Sequence, residues 1–414
     1  MAALENFIKV ISSLGSEALA VAPERCVQVR NKNARCLRCA EVCAAGAISY
    51  DGEDVLIDGD ACIGCGTCAT ACPTCALEAM HPTDAELSDA LAERASAGGG
   101  VVVACARALR RAHRAAERKA EEASGLLRRV SVDFDVSDVL QVVCLGRIDE
   151  SFYAECAARG VSQVTLACDG CETCTYHRGG ELARKVAASA HELLDAHGYE
   201  LAAEFVSPLP CSVYEKGTAA RALGYDPSKR ATIVTLREMT AQVARDSAVE
   251  ALDPVSGEEA PEPRYAKVGP NGTLPQFVPL RRNRVMNSLH HVGEPVRALV
   301  TTRLWGQVDV DVDQCSSCAM CAVFCPTGAL ARRDDAEGNI TLEHRPYRCV
   351  QCRLCEDICM TGALSVGDMV SLEDFERGRV QEIPLPPRAW TPNRPDSIFT
   401  KMNALVGGGN NSYF

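Results

Sequence analysis

The chain has 414 residues, 47% of them hydrophobic, and a formal net charge of −12. This length is enough for about two to four compact domains with cores of their own, and the composition excludes a disordered protein. The negative charge disfavours nucleic-acid binding, because phosphate contacts need a basic surface. The 24 cysteines are far more than packing requires, and most of them are close together in sequence. Such close neighbours are poor disulfide partners but good ligands for one metal centre.

The N-terminal segment, residues 1–24, contains Glu5 and has no apolar run of the kind found in signal peptides. No later stretch of the sequence has the length and apolarity of a membrane-spanning helix. We therefore expect a cytoplasmic protein without membrane insertion, because a reducing compartment keeps thiols free until a metal arrives.

One short pattern occurs four times in the sequence. The copies are CAEVCAAGAI from Cys39, CATACPTCAL from Cys68, CAVFCPTGAL from Cys321 and CEDICMTGAL from Cys355. Further cysteines precede each copy. This internal duplication predicts two pairs of related units, one in each terminal part of the chain.

The first pair lies in an N-terminal module, residues 1–82. Its second half has the spacing Cys-x2-Cys-x2-Cys-x3-Cys-Pro from Cys62 to Cys72, which resembles the run of bacterial ferredoxins, where three cysteines hold one 4Fe-4S cluster and the fourth reaches another. The first half departs from this run, because nine residues separate Cys26 from Cys36, but a longer loop costs little additional entropy. We expect one 4Fe-4S cluster on Cys26, Cys36, Cys39 and Cys72, and a second on Cys43, Cys62, Cys65 and Cys68.

Two local elements are expected around the second half of this module. Residues 47–57, AISYDGEDVLI, predict a hairpin that turns at Asp51-Gly52. A helix capped by Thr83 is expected over residues 83–97, before the glycines at 98–100.

Three short apolar runs follow these glycines, and each ends on a cysteine: VVVAC from Val101, VLQVVC from Val139 and QVTLAC from Gln163. Their composition predicts strands buried on both faces, and helices are expected at residues 107–124, 151–159 and 181–197. Alternating strands and helices predict an α/β domain with a parallel sheet over residues 83–225. The carboxyl ends of such strands meet at one edge, which would bring together Cys105, Cys144 and Cys168, with Cys171 and Cys174 in the following loop.

Two segments of this domain, CLGRIDESF from Cys144 and LACDGCETCTYHRGG from Leu166, resemble the delta-subunit family of methyl-viologen-reducing hydrogenase. Members of that family carry a Cys-x-Gly-Arg segment, a later Gly-Cys, and a Cys-His-Tyr followed by glycine. The resemblance implies a 2Fe-2S cluster and an adapter that passes electrons between a hydrogenase or other donor and a heterodisulfide-reductase-like flavoprotein. The matching positions of this chain are Cys105, Cys144, Cys168 and Cys174, with Gly146 and Arg147 beside them.

The chain departs from the family pattern in this region at three places. Ala167 replaces the glycine before Cys168, Thr175 replaces the histidine of Cys-His-Tyr, and Cys171 is an additional cysteine. Cys168 and Cys171 are therefore alternative ligands. The alternative to a fifth cluster is a redox-inert domain whose cysteines are free or paired.

Residues 226–300 are less regular and are expected to form a linker with helical segments. A helix-like stretch at residues 233–249 precedes a Pro-, Gly- and Glu-rich stretch that is typical of linkers and surface loops. The segment VPLRRNRVMNSLHHVG predicts a basic amphipathic helix, whose arginines we place on a solvated face, with docking of an acidic partner as the alternative. His290 and His291 point to different sides of a helix and are expected on the surface.

The second pair lies in a C-terminal module, residues 301–370, which contains the Cys-x2-Cys-x2-Cys-x3-Cys run twice, beginning at Cys315 and at Cys349. A hairpin is expected at residues 329–342. Zinc is the disfavoured alternative, because structural zinc sites pair two separated Cys-x2-Cys units. We expect one 4Fe-4S cluster on Cys315, Cys318, Cys321 and Cys359, and another on Cys325, Cys349, Cys352 and Cys355.

The final segment, residues 371–414, has too much proline to fold alone and too many apolar side chains for a solvated tail. We expect it to dock on this protein or on a partner subunit.

The expected architecture is α+β and α/β multidomain, with two ferredoxin-like 2×(4Fe-4S) modules flanking a small α/β parallel-sheet domain. The sequence contains no Walker loop, no GxGxxG after a strand and no HExxH segment. We therefore expect a non-catalytic electron-transfer component with four 4Fe-4S clusters and one 2Fe-2S cluster, between a hydrogenase-like or dehydrogenase-like donor and a flavoprotein acceptor. A redox sensor or cluster-bearing scaffold that uses the central cysteines is the first alternative, and catalysis at residues 168–174 is the second.

Overall fold

The computed structural model describes residues 18–95, 99–124, 136–214 and 272–387. The helix expected at residues 233–249 and the part of the tail after residue 387 lie outside these ranges. Among the described helices, none combines the length and the apolarity that a membrane span requires. We call the three described units N-terminal (18–82), central (83–214) and C-terminal (299–387).

The N-terminal unit consists of short strands and short helices. Its elements are β1 (Leu19–Val21), α1 (Val27–Arg30), α2 (Arg38–Val42), β2 (Ile48–Tyr50), β3 (Val55–Ile57), α3 (Thr67–Ala71) and β4 (Leu77–Ala79). β1 pairs with β4 and β2 with β3, both antiparallel. The predicted hairpin is confirmed, and the Asp51 carboxylate accepts hydrogen bonds from the backbone N–H groups of Glu53 and Asp54 at 2.9 and 2.8 Å. The core of the unit lies directly against its cysteines, because its apolar cluster includes Leu19, Ile48, Leu77, Cys68 and Cys72.

The central unit is a parallel sheet covered by helices. Its elements are α4 (Asp84–Arg94), β5 (Gly100–Cys105), α5 (Ala106–Ser124), β6 (Val139–Val142), α6 (Glu150–Ala158), β7 (Gln163–Ala167), α7 (His177–Asp195) and β8 (Ala202–Val206). The four strands are parallel, in the order β6-β5-β7-β8. This confirms the predicted parallel sheet. The predicted cap of α4 is also confirmed, since Thr83 and Glu86 form a capping box.

The sheet brings three cysteines to one edge. Val103 and Leu140 are fully buried at its centre, as expected for strands that are covered on both faces. Cys105 is the last residue of β5, Cys144 follows β6 by two residues, and Cys168 directly follows β7. All three therefore lie at the carboxyl edge, where ligands of such sheets gather.

The fourth strand, β8, is not predicted by the sequence pattern. Its residues, AAEFV, are exposed or half-buried because β8 is an edge strand of the sheet. It therefore lacks the continuous apolar run that identifies the other three strands.

The C-terminal unit repeats the architecture of the N-terminal unit. After helix α8 (Leu280–Val292), its elements are β9 (Leu299–Thr301), β10 (Gln307–Val310), α9 (Met320–Phe324), β11 (Leu330–Asp334), β12 (Ile340–His344), α10 (Leu354–Asp357), β13 (Leu364–Gly367), β14 (Met369–Ser371), α11 (Leu372–Glu376) and β15 (Gln381–Leu385). β10 pairs with β13 and β11 with β12, like β1 with β4 and β2 with β3. The hairpin predicted at residues 329–342 is thereby confirmed. In addition, β15 pairs with β12, and β9 pairs with β14.

Helix α8 contacts the other units through buried arginines. Arg281 and Arg282 are 5% and 4% exposed, so the expectation that the arginines of this helix lie on a solvated face is wrong for these two residues. Arg281 pairs with Asp149 at 2.7 Å and donates to the carbonyl oxygens of Ala69 and Thr70. These carbonyls belong to the last turn of α3, where backbone acceptors have no partner within the helix.

Arg282 and the apolar face of α8 complete the contact between units. Arg282 donates to three backbone carbonyl oxygens, those of Pro73, Leu304 and Val350. Val285 and Leu289 are buried in a core that α8 shares with the central sheet, whereas His290 and His291 are exposed as expected. The helix thus packs the N-terminal, central and C-terminal units against one another.

Candidate functional site

Three of the four cysteine loops share one backbone conformation. In each, the residues directly before and after the middle cysteine have positive φ, between 50° and 71°. These turns curl the loop and direct successive N–H groups inward, an arrangement that forms anion-binding concavities and many iron–sulfur sites. Residues other than glycine seldom adopt left-handed backbone. In the two loops that have other residues at these positions, the surrounding structure therefore holds the backbone in this conformation. The pairs are Gly64 and Gly66, Ser317 and Ala319, and Gln351 and Arg353.

The cysteines of the C-terminal unit form two groups, and each group lines a cavity. One cavity is lined by Cys325, Cys349, Cys352 and Cys355. The other is lined by Cys315, Cys318, Cys321 and Cys359. In both groups, three closely spaced cysteines meet a fourth from the other half of the unit, which is the grouping that the spacing predicts.

The cysteines of the N-terminal unit also lie in two groups. The first contains Cys26, Cys36, Cys39 and Cys72. The second contains Cys43, Cys62, Cys65 and Cys68. Burial, together with neighbouring thiols, raises the pKa of Cys39 to about 12 and the pKa of Cys68 well above its usual value. The long loop before Cys36 therefore still brings Cys26 to its group.

The chemistry of these four groups fits iron–sulfur clusters. Their candidate ligands are cysteine sulfurs, and backbone N–H groups donate to several of them: Ala47 to Cys43 and Ala76 to Cys72, both at 3.3 Å. Such hydrogen bonds stabilise thiolate ligands. Buried free thiols are neutral, so binding a cluster requires the release of their protons. Among the described residues, no three His, Cys, Asp or Glu side chains form a group that could hold a single metal ion.

The central unit has a cavity of about 420 Å³ at the carboxyl edge of its sheet. Four cysteines line it: Cys105, Cys144, Cys171 and Cys174. Cys168 is 4% exposed, belongs to the apolar core and contacts the Cys171 thiol. Burial, and after it the neighbouring Cys168, raises the pKa of Cys171 to about 12. The two alternatives from the sequence thus differ in location, since Cys171 lines the cavity and Cys168 lies in the core.

Two glycines at the start of α7 allow this helix to approach the cavity. A Cβ atom on Gly180 would lie 2.6 Å from the Cβ atom of Cys171. A Cβ atom on Gly179 would overlap the sulfur of Cys144. The Gly-Gly segment of the sequence is therefore explained by close packing of the helix against two cysteines.

Thr67 connects the N-terminal and central cysteine groups. Its side chain is 2% exposed, and its hydroxyl lies against Cys65 and Cys144, where it partly offsets the increase in pKa that burial causes in both thiols. Gly146 of the Cys-x-Gly-Arg segment makes room for this contact, because a Cβ atom there would lie 2.6 Å from Thr67 Oγ1. Sequence reasoning missed Thr67, since no motif marks it and its contact joins distant segments.

The cysteine groups of the two terminal units are neighbours. Within the C-terminal unit, Cys321 of one group is close enough to Cys355 of the other to contribute to its raised pKa, after burial and three nearer thiols. Across the unit boundary, Cys352 and Cys36 pack against the same apolar cluster. The Arg38 side chain also crosses this boundary and donates to the Gln351 carbonyl oxygen at 3.0 Å. The two groups of the C-terminal unit and the group of the N-terminal unit that contains Cys36 therefore lie next to one another, in that order.

The same succession continues into the central unit. Cys39 of the first N-terminal group is a neighbour of Cys68 in the second. Cys65 of that second group is a neighbour of Cys144 in the central cavity, with Thr67 between the two. All five groups thus form one row that passes through the C-terminal, N-terminal and central units in that order.

Three family models match segments of the chain. The 4Fe-4S binding domain matches residues 53–74, the methyl-viologen-reducing hydrogenase delta subunit matches residues 101–208, and the 4Fe-4S dicluster domain matches residues 314–363. Each segment contains cysteines of the groups described above.

Among curated proteins, a probable iron-sulfur subunit of the Frd operon of Proteus vulgaris is 45% identical over 42 residues. This similarity covers 10% of the chain and 27% of that relative. Together, the matches support an electron-transfer role. The chain carries a methyl-viologen-reducing hydrogenase delta-subunit domain between two 4Fe-4S ferredoxin-type domains.

Proposed function

We propose that the protein is an iron–sulfur subunit that passes single electrons between a hydrogenase-like or dehydrogenase-like donor and a flavin-containing, heterodisulfide-reductase-like acceptor. The observation that carries this proposal is the row of five cysteine groups across all three units. Electrons move between centres in short steps, so a subunit of this kind needs neighbouring centres from one surface to another. The delta-subunit match supports assembly with other subunits.

We assign a 4Fe-4S cluster to each of the four groups in the terminal units. The ferredoxin-like spacing, the inward N–H groups and the all-cysteine donor sets support this assignment. For the central cavity we propose a 2Fe-2S cluster. The lining of the cavity favours Cys171 over Cys168 as its ligand, so the proposed set is Cys105, Cys144, Cys171 and Cys174.

The residues around the sulfurs set the conditions for electron transfer. A bound iron–sulfur cluster supplies a centre that accepts and releases one electron at a time. Hydrogen bonds to sulfur stabilise the negative charge that arrives with the electron, whereas burial opposes it. In the central unit, backbone N–H groups of Ala108 and Tyr176 donate to Cys105 and Cys174, both at 3.4 Å. The central cavity thus has the same type of donor as the terminal groups.

Iron and acid-labile sulfide content, together with EPR of the reduced protein prepared without oxygen, tests these assignments. We expect about 18 irons per chain in the wild type and about 16 in the double variant Cys144→Ser, Cys174→Ser, with loss of one 2Fe-2S signal. Cys171→Ser should behave like the double variant. Cys168→Ser should keep the iron content of the wild type, as should the control Cys211→Ser, which alters an exposed cysteine.

Two results would contradict parts of the proposal. Equal iron content of about 16 in the wild type and the double variant would show that the central cavity holds no cluster. A chain that keeps its iron, exchanges no electrons with redox dyes and purifies alone in an oxidant-responsive form would favour the redox-sensor alternative.

A further inference from the structure

A row of arginines runs along one side of helix α5. Arg107, Arg110, Arg114 and Arg118 are three or four residues apart, which places them on neighbouring turns of the same side. Arg111, next to Arg110, is four residues from Arg107 and three from Arg114 and so flanks this row. These arginines line an open cavity of about 540 Å³ together with Asp169 and Glu117. Four of the five arginines, all except Arg107, are exposed.

The positive charge of this row is only partly balanced. Arg107 and Arg111 both pair with Asp169, and Glu117 lies 3.9 Å from His113. Within the described ranges of the chain, Arg110, Arg114 and Arg118 have no ion pair with a carboxylate. In a protein with a net charge of −12, this is a local excess of positive charge.

The row begins at the central cysteine cavity. Arg107 and Arg110 line that cavity as well as the arginine-lined one, and the Arg107 guanidinium lies beside Cys174. From Arg107 to Arg118 the helix rises by about 16 Å. A strip of this length is longer than a single small anion and has the dimensions of part of a protein–protein interface.

We propose that Arg110, Arg114 and Arg118, here called the arginine surface, dock an acidic face of the protein that exchanges electrons with the central cysteine group. This inference rests on the proposed electron-transfer function. Electron-transfer complexes have small, short-lived interfaces, in which opposite charges accelerate the encounter. The arginine surface provides such an attraction next to the opening of the cavity, where the distance to the partner's redox centre would be shortest.

Stopped-flow reduction without oxygen tests this role, with a reduced acidic ferredoxin as the probe. The rate constant for the wild type should fall as ionic strength rises, because salt screens the attraction. At low ionic strength, the variant Arg114→Glu, Arg118→Glu should react at least about tenfold more slowly and lose this dependence. The charge-retaining variant Arg114→Lys, Arg118→Lys should keep most of the wild-type rate.

Two controls separate docking from other effects. The variant Arg333→Glu, Arg377→Glu changes the net charge equally at side chains that are 55% and 66% exposed in the C-terminal unit, and it should react like the wild type. Photoreduced deazaflavin, a small uncharged reductant, should reduce the wild type and all three variants at the same rate.

Three outcomes would count against this inference. An unchanged ferredoxin rate in Arg114→Glu, Arg118→Glu would overturn docking at the arginine surface while leaving electron transfer intact. Inhibition by pyrophosphate at constant ionic strength, with no effect of salt on the ferredoxin reaction, would assign the surface to a small anion instead. A wild type that deazaflavin cannot reduce would refute the proposed function itself.

Discussion

Thr67 lies between two cysteine groups, and its buried hydroxyl makes no hydrogen bond within the described residues. The side chain is buried and lies against Cys65 in the N-terminal unit and Cys144 in the central unit. A hydroxyl dipole beside a ligand sulfur favours the reduced state of a cluster, because the added electron increases the negative charge on sulfur. The hydroxyl therefore affects the reduction potentials of the clusters between which an electron moves from one unit to the other.

Replacing Thr67 by valine removes the hydroxyl and keeps the shape of the side chain. We expect the reduction potential of at least one adjacent cluster to fall by about 40 mV, which corresponds to the loss of an interaction between hydroxyl and sulfur worth about 1 kcal/mol. EPR-monitored redox titration measures this shift. Thr67→Ser should restore the wild-type potential, and Thr341→Val, in strand β12, should have no effect. Potentials that stay at the wild-type values in Thr67→Val would rule out such an interaction with either cluster.

At the scale of residues, the sequence predicts contacts within a loop better than contacts between loops. The Cys-x2-Cys-x2-Cys spacing reveals the ligands because three sulfurs on one tight turn necessarily lie close together. Thr67 could not be identified in this way, and Cys171 could not be chosen over Cys168. The contact of Thr67 with Cys144, and the orientation of Cys171 toward the cavity, depend on the packing of α3 and α7 around the central sheet.

Helix α8 is the element that connects the units, and its buried Arg281 is central to this contact. Burial alone would raise the pKa of Asp149, but Arg281 and then Arg147 lower it to about 2. Because the pKa of the folded state lies below the ordinary value of about 3.9, the ionised pair stabilises the fold above that pH. The stabilisation is lost as the pH falls toward 2.

Arg281→Met should therefore destabilise the protein by about 3 kcal/mol near pH 7, because it removes the main cation that compensates the buried charge of Asp149. The pKa of Asp149 should rise in this variant. The difference in the free energy of unfolding between wild type and variant should therefore decrease as the pH is lowered through that raised pKa, because the carboxyl group becomes neutral. Denaturant unfolding near pH 7 and near pH 5 measures both effects. Arg297→Met is the control, since Arg297 pairs with Asp195 on the surface, at 42% and 50% exposure, and should cost less than about 1 kcal/mol.

At the scale of elements, the sequence predicts those that have a clear apolar pattern. Strands β5, β6 and β7 are continuous apolar runs, whereas the edge strand β8 is half polar and gives no such signal. Because arginine is charged, the sequence predicts that the arginines of α8 lie on a solvated face. Two of them are buried instead. Arg281 donates to unpaired carbonyl groups of α3 and pairs with Asp149, and Arg282 donates to the carbonyl oxygens of Pro73, Leu304 and Val350.

At the scale of the whole molecule, the row of cysteine groups ends at two surfaces of different chemistry. The central cavity adjoins the arginine surface. At the other end, Cys318 is exposed, and the neighbouring Met320 and Met360 are 40% and 93% exposed. Two partners with different surfaces could thus bind at separate places. The sequence does not reveal this order of groups, because Cys36 and Cys352, which pack against one apolar cluster, come from opposite parts of the chain.

The most direct test of the row is the magnetic interaction between clusters in EPR spectra of the fully reduced protein. Neighbouring paramagnetic clusters broaden and split each other's signals. In the double variant Cys36→Ser, Cys39→Ser, which removes the middle group, we expect the signals of the groups on both sides to sharpen. In Cys315→Ser, Cys318→Ser, which removes an end group, only the signal of the adjacent C-terminal group should sharpen. Identical changes in both variants, or no interaction in the wild type, would contradict a continuous row of electron-transfer centres.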